Sequence, residues 1–193
     1  VLEGSVVTWA DSLKAAGYAT GMVGKWHLGG NPGTLPTDQG FLVNIGGSDA
    51  GRPKTYFSPY NLAYLDDGAK GEHLTDRLAD EAVGFIKANA QRSFCLYFAQ
   101  YAVHTPIQPK PELTAQFKDR APDGEQRNAA YAGLIYGADQ AVGRVLAALD
   151  ELHLAENTVV VVTSDNGGSH KVTSNAPLRG YKGMLYEGGI RVP

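Results

Sequence analysis

The stretch from Asn157 to Gly168 reads N-T-V-V-V-V-T-S-D-N-G-G and guides the interpretation of the whole chain. Four consecutive valines between threonines are typical of a short strand that is buried on both faces of a sheet. The run ends in Asp165 and Asn166, followed by glycines. In an open α/β sheet, ligands bind at the carboxyl ends of the strands. We therefore expect a buried strand over 159–163 and a polar site for a cation or an anion directly after it.

Helical and strand-like patterns alternate along the rest of the chain. Apolar residues recur at helical spacing over 8–16, about 74–90 and about 126–152, and Thr75 is the expected N-cap of the second of these helices. Apolar strands are predicted over 18–24 and 93–99, whereas 31–70 and 105–124 are predicted as loops because of their many turn residues. This alternation predicts an α/β fold in one domain, with a mainly parallel sheet flanked by helices.

The composition excludes some classes of partner. With 43% hydrophobic residues, 19% charged residues and a net charge of −3, the sequence gives no reason to expect nucleic acid or a membrane as a partner. No stretch reaches the length of a transmembrane helix. The single cysteine, Cys95, lies in the apolar run F-C-L-Y-F and is expected to be a packed residue rather than a nucleophile.

Polar side chains follow each predicted strand. Lys25 and His27 follow the first, His104 follows the second, and Asp165 and Asn166 follow the third. Each of these residues alone is also typical of a structural role. Because the carboxyl ends of parallel strands share one edge of a sheet, we expect the whole set to converge in one crevice.

The residue types indicate chemistry on an anion. Lys25 and His27 lie two positions apart, so in an extended segment both point the same way, and together they suit an anion that has a proton to move. Asp165 and Asn166 offer hard oxygen ligands for Ca²⁺ or Mg²⁺, but two residues cannot fill a calcium shell, and their segment also has the composition of a plain turn. Glycines around Lys182 allow backbone and ammonium to surround an oxyanion.

Several motifs resemble those of the type I sulfatases. Residues 24–29 read G-K-W-H-L-G, residues 163–168 read T-S-D-N-G-G, and residues 177–193 read P-L-R-G-Y-K-G-M-L-Y-E-G-G-I-R-V-P. The H-T-P at 104–106 also falls where that family has a histidine. The segments at 56–60 and 71–78 are similar to bacterial members assigned to sulfated carbohydrates. The resemblance covers nearly the whole chain.

The resemblance implies an alkaline-phosphatase-like fold and the hydrolysis of a sulfate ester. In that family a formylglycine, made from Cys or Ser, is the nucleophile, and a Ca²⁺ neutralises the sulfate oxygens. By motif match, Asp165 and Asn166 are the expected metal ligands.

The remaining roles also follow from the motif match alone. Lys25 and Lys182 are expected to hold the sulfate and to stabilise charge in the transition state. His104 is expected to protonate the leaving alcohol. His27 is expected to deprotonate the formylglycine hydrate, which expels sulfate.

The sequence departs from the family at the nucleophile. No Cys or Ser is followed by x-Pro-x-Arg, and the family's N-terminal aspartate pair is absent. We therefore expect residues 1–193 to be a central part of a sulfatase catalytic domain, lacking the nucleophile segment and the C-terminal subdomain. Such a part should turn over little or no substrate, and it should self-associate through apolar surface.

Two other functions stay open. One is hydrolysis of phosphate or phosphonate monoesters on the same fold, since those substrates are also tetrahedral oxyanions. The other is a non-catalytic module that binds sulfated glycans through the same anion pocket. The substrate and the compartment are not determined by the sequence, although family habit favours the periplasm or export.

Overall fold

The computed structural model describes residues 1–193 and contains one parallel sheet with helices around it. The helices are α1 (Trp9–Ala15), α2 (Leu74–Asn89), α3 (Pro111–Ala115), α4 (Ala129–Glu151) and α5 (Glu187–Ile190), and the strands are β1 (Ala19–Gly24), β2 (Val43–Ile45) and β3 (Phe94–Ala99). The strands lie in the order β2-β1-β3, and both pairings are parallel. The predicted α/β class with a parallel sheet and flanking helices is confirmed. None of the helices combines the length and the apolar character that crossing a bilayer requires.

The central strand β1 has helices against both of its faces. All six of its residues are buried, and successive side chains point to opposite faces of the sheet. Met22 packs in a cluster with Ala10 of α1, whereas Val23 packs in a second cluster with Leu74 and Leu78 of α2. The sheet is thus covered on both sides, which is why β1 is continuously apolar or small.

Polar residues define where the helices begin. Thr8 and Asp11 form a capping box at the start of α1, and the Asn128 side chain accepts a backbone hydrogen bond at the start of α4. The predicted N-cap of α2 is wrong by two residues, although the helix begins at Leu74 as expected. The N-cap is His73, and Thr75 is a buried residue inside the first turn. The His73 ring makes no capping hydrogen bond, so packing rather than a cap fixes this helix start.

The valine run is not a strand. Residues 158–164 lie outside any ladder, and the valines at 159, 160, 161 and 162 are 91%, 47%, 79% and 65% exposed. A strand requires a hydrogen-bonded neighbour, but β1 already has two neighbours and the outer edge of β3 pairs with no strand of this chain. The prediction of a buried strand over 159–163 is therefore wrong, and the run is an exposed segment without regular secondary structure.

Two short elements lie in segments that were predicted as loops. The strand β2 lies within 31–70, and the helix α3 lies within 105–124. The first of them matters for the site, because β2 and not the valine run provides the third strand of the sheet.

Candidate active site

The candidate site begins at the carboxyl edge of the sheet, where β1 and β3 end side by side. Gly24 pairs with Ala99 across the two strands, and the backbone N of Lys25 donates a hydrogen bond to the carbonyl oxygen of Ala99 at 2.7 Å. Gly24 has φ +106°, and a Cβ there would collide with the Ala99 carbonyl. Only glycine tolerates both conditions, so this residue allows Lys25 to leave directly at the sheet edge.

An ion pair joins this edge to the segment that follows the valine run. The Nζ of Lys25 lies 3.2 Å from Oδ2 of Asp165, with the two side chains 18% and 64% exposed. The residues are 140 positions apart in sequence. Two of the groups that were predicted to converge therefore meet, although the strand that was expected to carry Asp165 does not form.

His104 lies half-buried in the loop that follows β3. Its Nδ1 is 3.1 Å from the carbonyl oxygen of Thr105, and its own carbonyl oxygen accepts a hydrogen bond from the Tyr56 hydroxyl at 3.0 Å. Tyr56 is fully buried. The backbone of His104 is thus fixed from the core side, while its Nε2 has no hydrogen-bond partner within the chain.

The electrostatic surroundings keep His104 neutral. Burial lowers the pKa of His104, and the positive charges of Lys182, Lys25 and Arg52 lower it further, whereas the hydrogen bond with the Thr105 carbonyl opposes these effects. A pKa below the ordinary value of about 6.5 leaves the imidazole uncharged at pH 7. Three cations therefore act on this ring, and they are the groups that an anionic ligand would neutralise.

His27 takes a different position from the one that alternation predicts. Its φ is +60°, its backbone N donates to the carbonyl oxygen of Ser48 at 2.8 Å, and its side chain is exposed while Trp26 is buried. The segment is therefore not extended through His27, and the expected shared orientation with Lys25 does not follow from alternation. A left-handed conformation at a non-glycine residue costs about 1 kcal/mol, and such strain is typical of functional segments.

The segment around Lys182 is folded back on the S-D-N-G-G turn, residues 164–168. The backbone N of Lys182 donates to the carbonyl oxygen of Gly168 at 3.1 Å. In the same turn, Asn166 Nδ2 donates to the Gly167 carbonyl at 3.1 Å, and Asn166 Oδ1 accepts no hydrogen bond within the chain. A carboxylate at Asp165 and this free amide oxygen match the chemistry of a hard cation site, as two of its several ligands. No cluster of three or more His, Cys, Asp or Glu side chains exists that could hold a metal alone.

The sulfatase family model matches residues 4–193. The chain belongs to the sulfatase family. It is 33% identical to a sulfatase of Formosa agariphila over 100% of this chain and 44% of that protein. It is 32% identical to N-acetylgalactosamine-6-sulfatase of Homo sapiens over 95% of this chain and 38% of that protein.

A solved structure agrees with these relatives. Ps i-CgsB in complex with k-i-k-neocarrahexaose superposes with a TM-score of 0.81 at 31% identity, covering 95% of this chain and 45% of that chain. This sulfatase-family chain therefore spans less than half the length of the relatives it matches. The resemblance in the motifs is confirmed at the level of family and fold.

The thiol and the hydroxyl that most resemble nucleophiles are structural in this sulfatase-family chain. Burial raises the pKa of the Cys95 thiol, which lies half-buried in β3. The Ser58 hydroxyl donates a hydrogen bond to the Gly68 carbonyl oxygen at 2.8 Å. Neither residue has the Pro and Arg of the family's nucleophile motif after it, so neither is a candidate nucleophile.

Two residues near the site, Arg52 and Tyr56, lie in the segment 31–70, which was predicted as a loop. Tyr56 supports the His104 backbone, and Arg52 acts on the charge of its ring. Both follow β2, whose three residues V-N-I are too few to produce a strand pattern. The sequence therefore gave no sign of β2, and so no sign that Arg52 follows a strand at the functional edge.

A separate surface cavity lies beside residues 170–181. It has a volume of about 310 Å³ and is lined by Glu125, His170, Asn175 and Tyr181, among others. The rings of His170 and Tyr181 pack with centroids 4.2 Å apart. This packing indicates a structural role for His170.

Proposed function

We propose that this chain supplies the sulfate-binding part of a sulfatase active site, and that the protein hydrolyses sulfate esters of carbohydrates or aryl alcohols. The observation that carries the proposal is the contact between Lys25 and Asp165 beside a neutral His104 on which Lys182 also acts. Family membership supports the reaction class. That the chain is one part of a larger catalytic domain is likewise a proposal, supported by its share of the relatives' length.

Lys25 and Lys182 would bind the sulfate group of the ester, and His104 would act on its leaving alcohol. Lys25 and Lys182 would bind the sulfate oxygens and stabilise the charge that develops in the transition state. The free site keeps His104 neutral, and the bound anion would offset the lysine charges that lower its pKa. Binding would thus raise the pKa of His104 and prepare it to protonate the leaving alcohol.

His27, Asp165 and Asn166 would act on the nucleophile and on the sulfate oxygens. We assign His27 the role of a general base that takes a proton from the nucleophile. Asp165 and Asn166 would hold a hard cation, Ca²⁺ or Mg²⁺, which when bound neutralises sulfate oxygens. No residue of this chain is assigned the formylglycine role, because no Cys or Ser precedes x-Pro-x-Arg.

Binding of inorganic sulfate tests the core of the proposal. Isothermal titration should show that Lys25→Ala and Lys182→Ala each weaken sulfate binding about 5-fold or more, since each removes a charge-assisted contact. Lys87→Ala is the matched control, because Lys87 is exposed in the last turn of α2, at the opposite edge of the sheet. Equal losses in all three variants would show only a general charge effect and would refute the assigned site.

The metal assignment has its own readout. Titration calorimetry with Ca²⁺, and separately with Mg²⁺, should show binding that Asp165→Asn weakens about 10-fold or more, because the carboxylate is the only charged ligand that this chain contributes. Asp139→Asn, an exposed acid on α4, is the control. Identical cation binding in both variants would remove Asp165 from the metal site.

The alternatives differ in what they bind and turn over. A phosphate monoester hydrolase would bind inorganic phosphate more tightly than sulfate under the same conditions. A glycan-binding module would bind a sulfated oligosaccharide, and the whole protein would not hydrolyse it. The names of two relatives, which mention an N-acetylgalactosamine sulfate and a carrahexaose, support a sulfated carbohydrate as substrate.

The 193-residue chain alone should have little or no turnover. An aryl sulfate incubated with it should release no alcohol above the uncatalysed rate, because the nucleophile motif is not in the sequence. Hydrolysis that Lys182→Ala abolishes would contradict this expectation.

We also propose that this chain self-associates. Four exposed valines and the unpaired edge of β3 support this. Light scattering at increasing concentration should show a growing mean mass, and a monodisperse monomer would contradict the proposal.

A further inference from the structure

The loop after β2 leaves the sheet at the same edge as the candidate site. Ile45, the last residue of β2, pairs with Val23 of β1, and β1 ends one residue later at Gly24. Because the strands are parallel, the segment 46–56, here called the β2 loop, emerges beside Lys25 and the loop that carries His104.

The β2 loop contacts both histidines of the site. A Cβ built on Gly51 would lie 2.5 Å from Cε1 of the His27 ring, so the glycine backbone packs directly on the imidazole. At the other end of the loop, Tyr56 donates its hydroxyl to the His104 carbonyl, and its backbone N donates to Gln108 Oε1 at 3.0 Å. The loop is therefore fixed between His27 and His104.

Arg52 occupies the position next to Gly51 and has no partner. Its side chain is exposed, and it forms no hydrogen bond or ion pair within the chain. By contrast, Arg77 and Arg144 each contact a carboxylate. The charge of Arg52 acts on His104 and contributes to its lowered pKa. An unpaired guanidinium is thus held at the rim of an anion site by a loop that is anchored at both ends.

We propose that Arg52 binds a second acidic group of the substrate, beside the sulfate ester held by Lys25 and Lys182. A guanidinium forms two parallel hydrogen bonds with a sulfate or carboxylate, which gives direction as well as affinity. This inference rests on the proposed function and narrows its substrate class to saccharides that carry at least two anionic groups.

The test compares three disaccharides with one backbone: one with a single sulfate, one with two sulfates, and one with a sulfate and a uronate. Wild type should bind at least one of the dianionic probes more tightly than the monosulfated probe. Arg52→Gln should weaken their binding about 5- to 10-fold and change that of the monosulfated probe less than about 2-fold. Arg52→Lys should recover part of the loss, and Lys87→Gln should bind all probes as wild type does. Circular dichroism spectra that match the wild type confirm that the variants are folded.

The outcomes separate this inference from the proposed function. If inorganic sulfate binds in a manner that depends on Lys25 but wild type does not distinguish the probes, the role of Arg52 is refuted and the proposed function stands. Equal weakening of all probes by Arg52→Gln also refutes it, because it would place Arg52 at the first sulfate. If only one dianionic probe is preferred, the second group is identified as sulfate or as carboxylate. If no probe and no inorganic sulfate binds, both proposals fail.

Discussion

The contact between Lys25 and Asp165 can be measured directly by a double-mutant cycle. The single variants Lys25→Met and Asp165→Asn and their combination are compared by urea unfolding. For unit charges 3.2 Å apart, Coulomb's law in a medium with the dielectric constant of water gives about 1.3 kcal/mol. Asp165 is 64% exposed, so solvent screening and side-chain ordering reduce this value, and we expect a coupling free energy of about 0.5–1 kcal/mol at low salt.

Salt provides the second test of the same contact. In 1 M NaCl the screening length falls to about 3 Å, so the coupling between Lys25 and Asp165 should fall close to zero. As a control, Lys25→Met combined with Asp139→Asn should show no coupling at any salt concentration, because Asp139 lies exposed on α4 and does not contact Lys25. A coupling that is absent at low salt, or that does not change with salt, would refute the ion pair as described.

Three further predictions concern the support of the site and the scaffold. Tyr56→Phe should lower the free energy of unfolding in urea by about 1 kcal/mol, because it leaves the half-buried His104 carbonyl without its donor; Tyr18→Phe, whose hydroxyl has no partner, should change it little, and equal losses would argue against the contact. Asn128→Ala should lower the free energy of unfolding by about 1 kcal/mol, because it removes the N-cap of α4. An unchanged urea midpoint would show that the cap does not contribute to stability. In an NMR titration the pKa of His104 should lie below about 6.5 and should rise in Lys182→Ala; because the folded-state pKa is lowered, the contribution of His104 to stability is lost as pH falls through that range, and an unshifted pKa would contradict the described charges.

The sequence was sufficient for the elements whose contacts are continuous and buried. The strands β1 and β3 and the helices α2 and α4 have long apolar patterns, and the structure places them within a few residues of the prediction. The helix α2 begins where it was predicted, but its N-cap was misassigned because a threonine signals a cap by its local chemistry, whereas the burial of His73 against Tyr56 depends on residues far away in sequence.

The valine run shows the limit of periodicity. Four β-branched residues in a row report a preference for extended backbone and burial, but a strand also needs a neighbour to pair with. That neighbour is a long-range property: in this chain β2 and β3 pair with β1, and the valine run does not pair with the outer edge of β3. The same reasoning explains why β2, with weak local propensity, forms a strand.

The candidate site could be predicted in part for a related reason. Residues that follow β1 and β3 were placed correctly at the sheet edge, and Lys25 does meet Asp165. Arg52 could not be found, because it follows a strand that had no visible pattern. The argument from alternation for Lys25 and His27 failed because the backbone becomes left-handed at His27.

We expect the exposed valine run to favour association between copies when the chain is concentrated. The segment 158–163, T-V-V-V-V-T, has no charge, no proline and no glycine, which is the composition of segments that stack into cross-β fibrils. Its valines are already solvent-exposed and the run lies in no helix or strand, so no unfolding is needed before two copies can meet. A single lysine in place of Val161, which is 79% exposed, would add a charge to every rung of such a stack and would act as a gatekeeper against fibril growth.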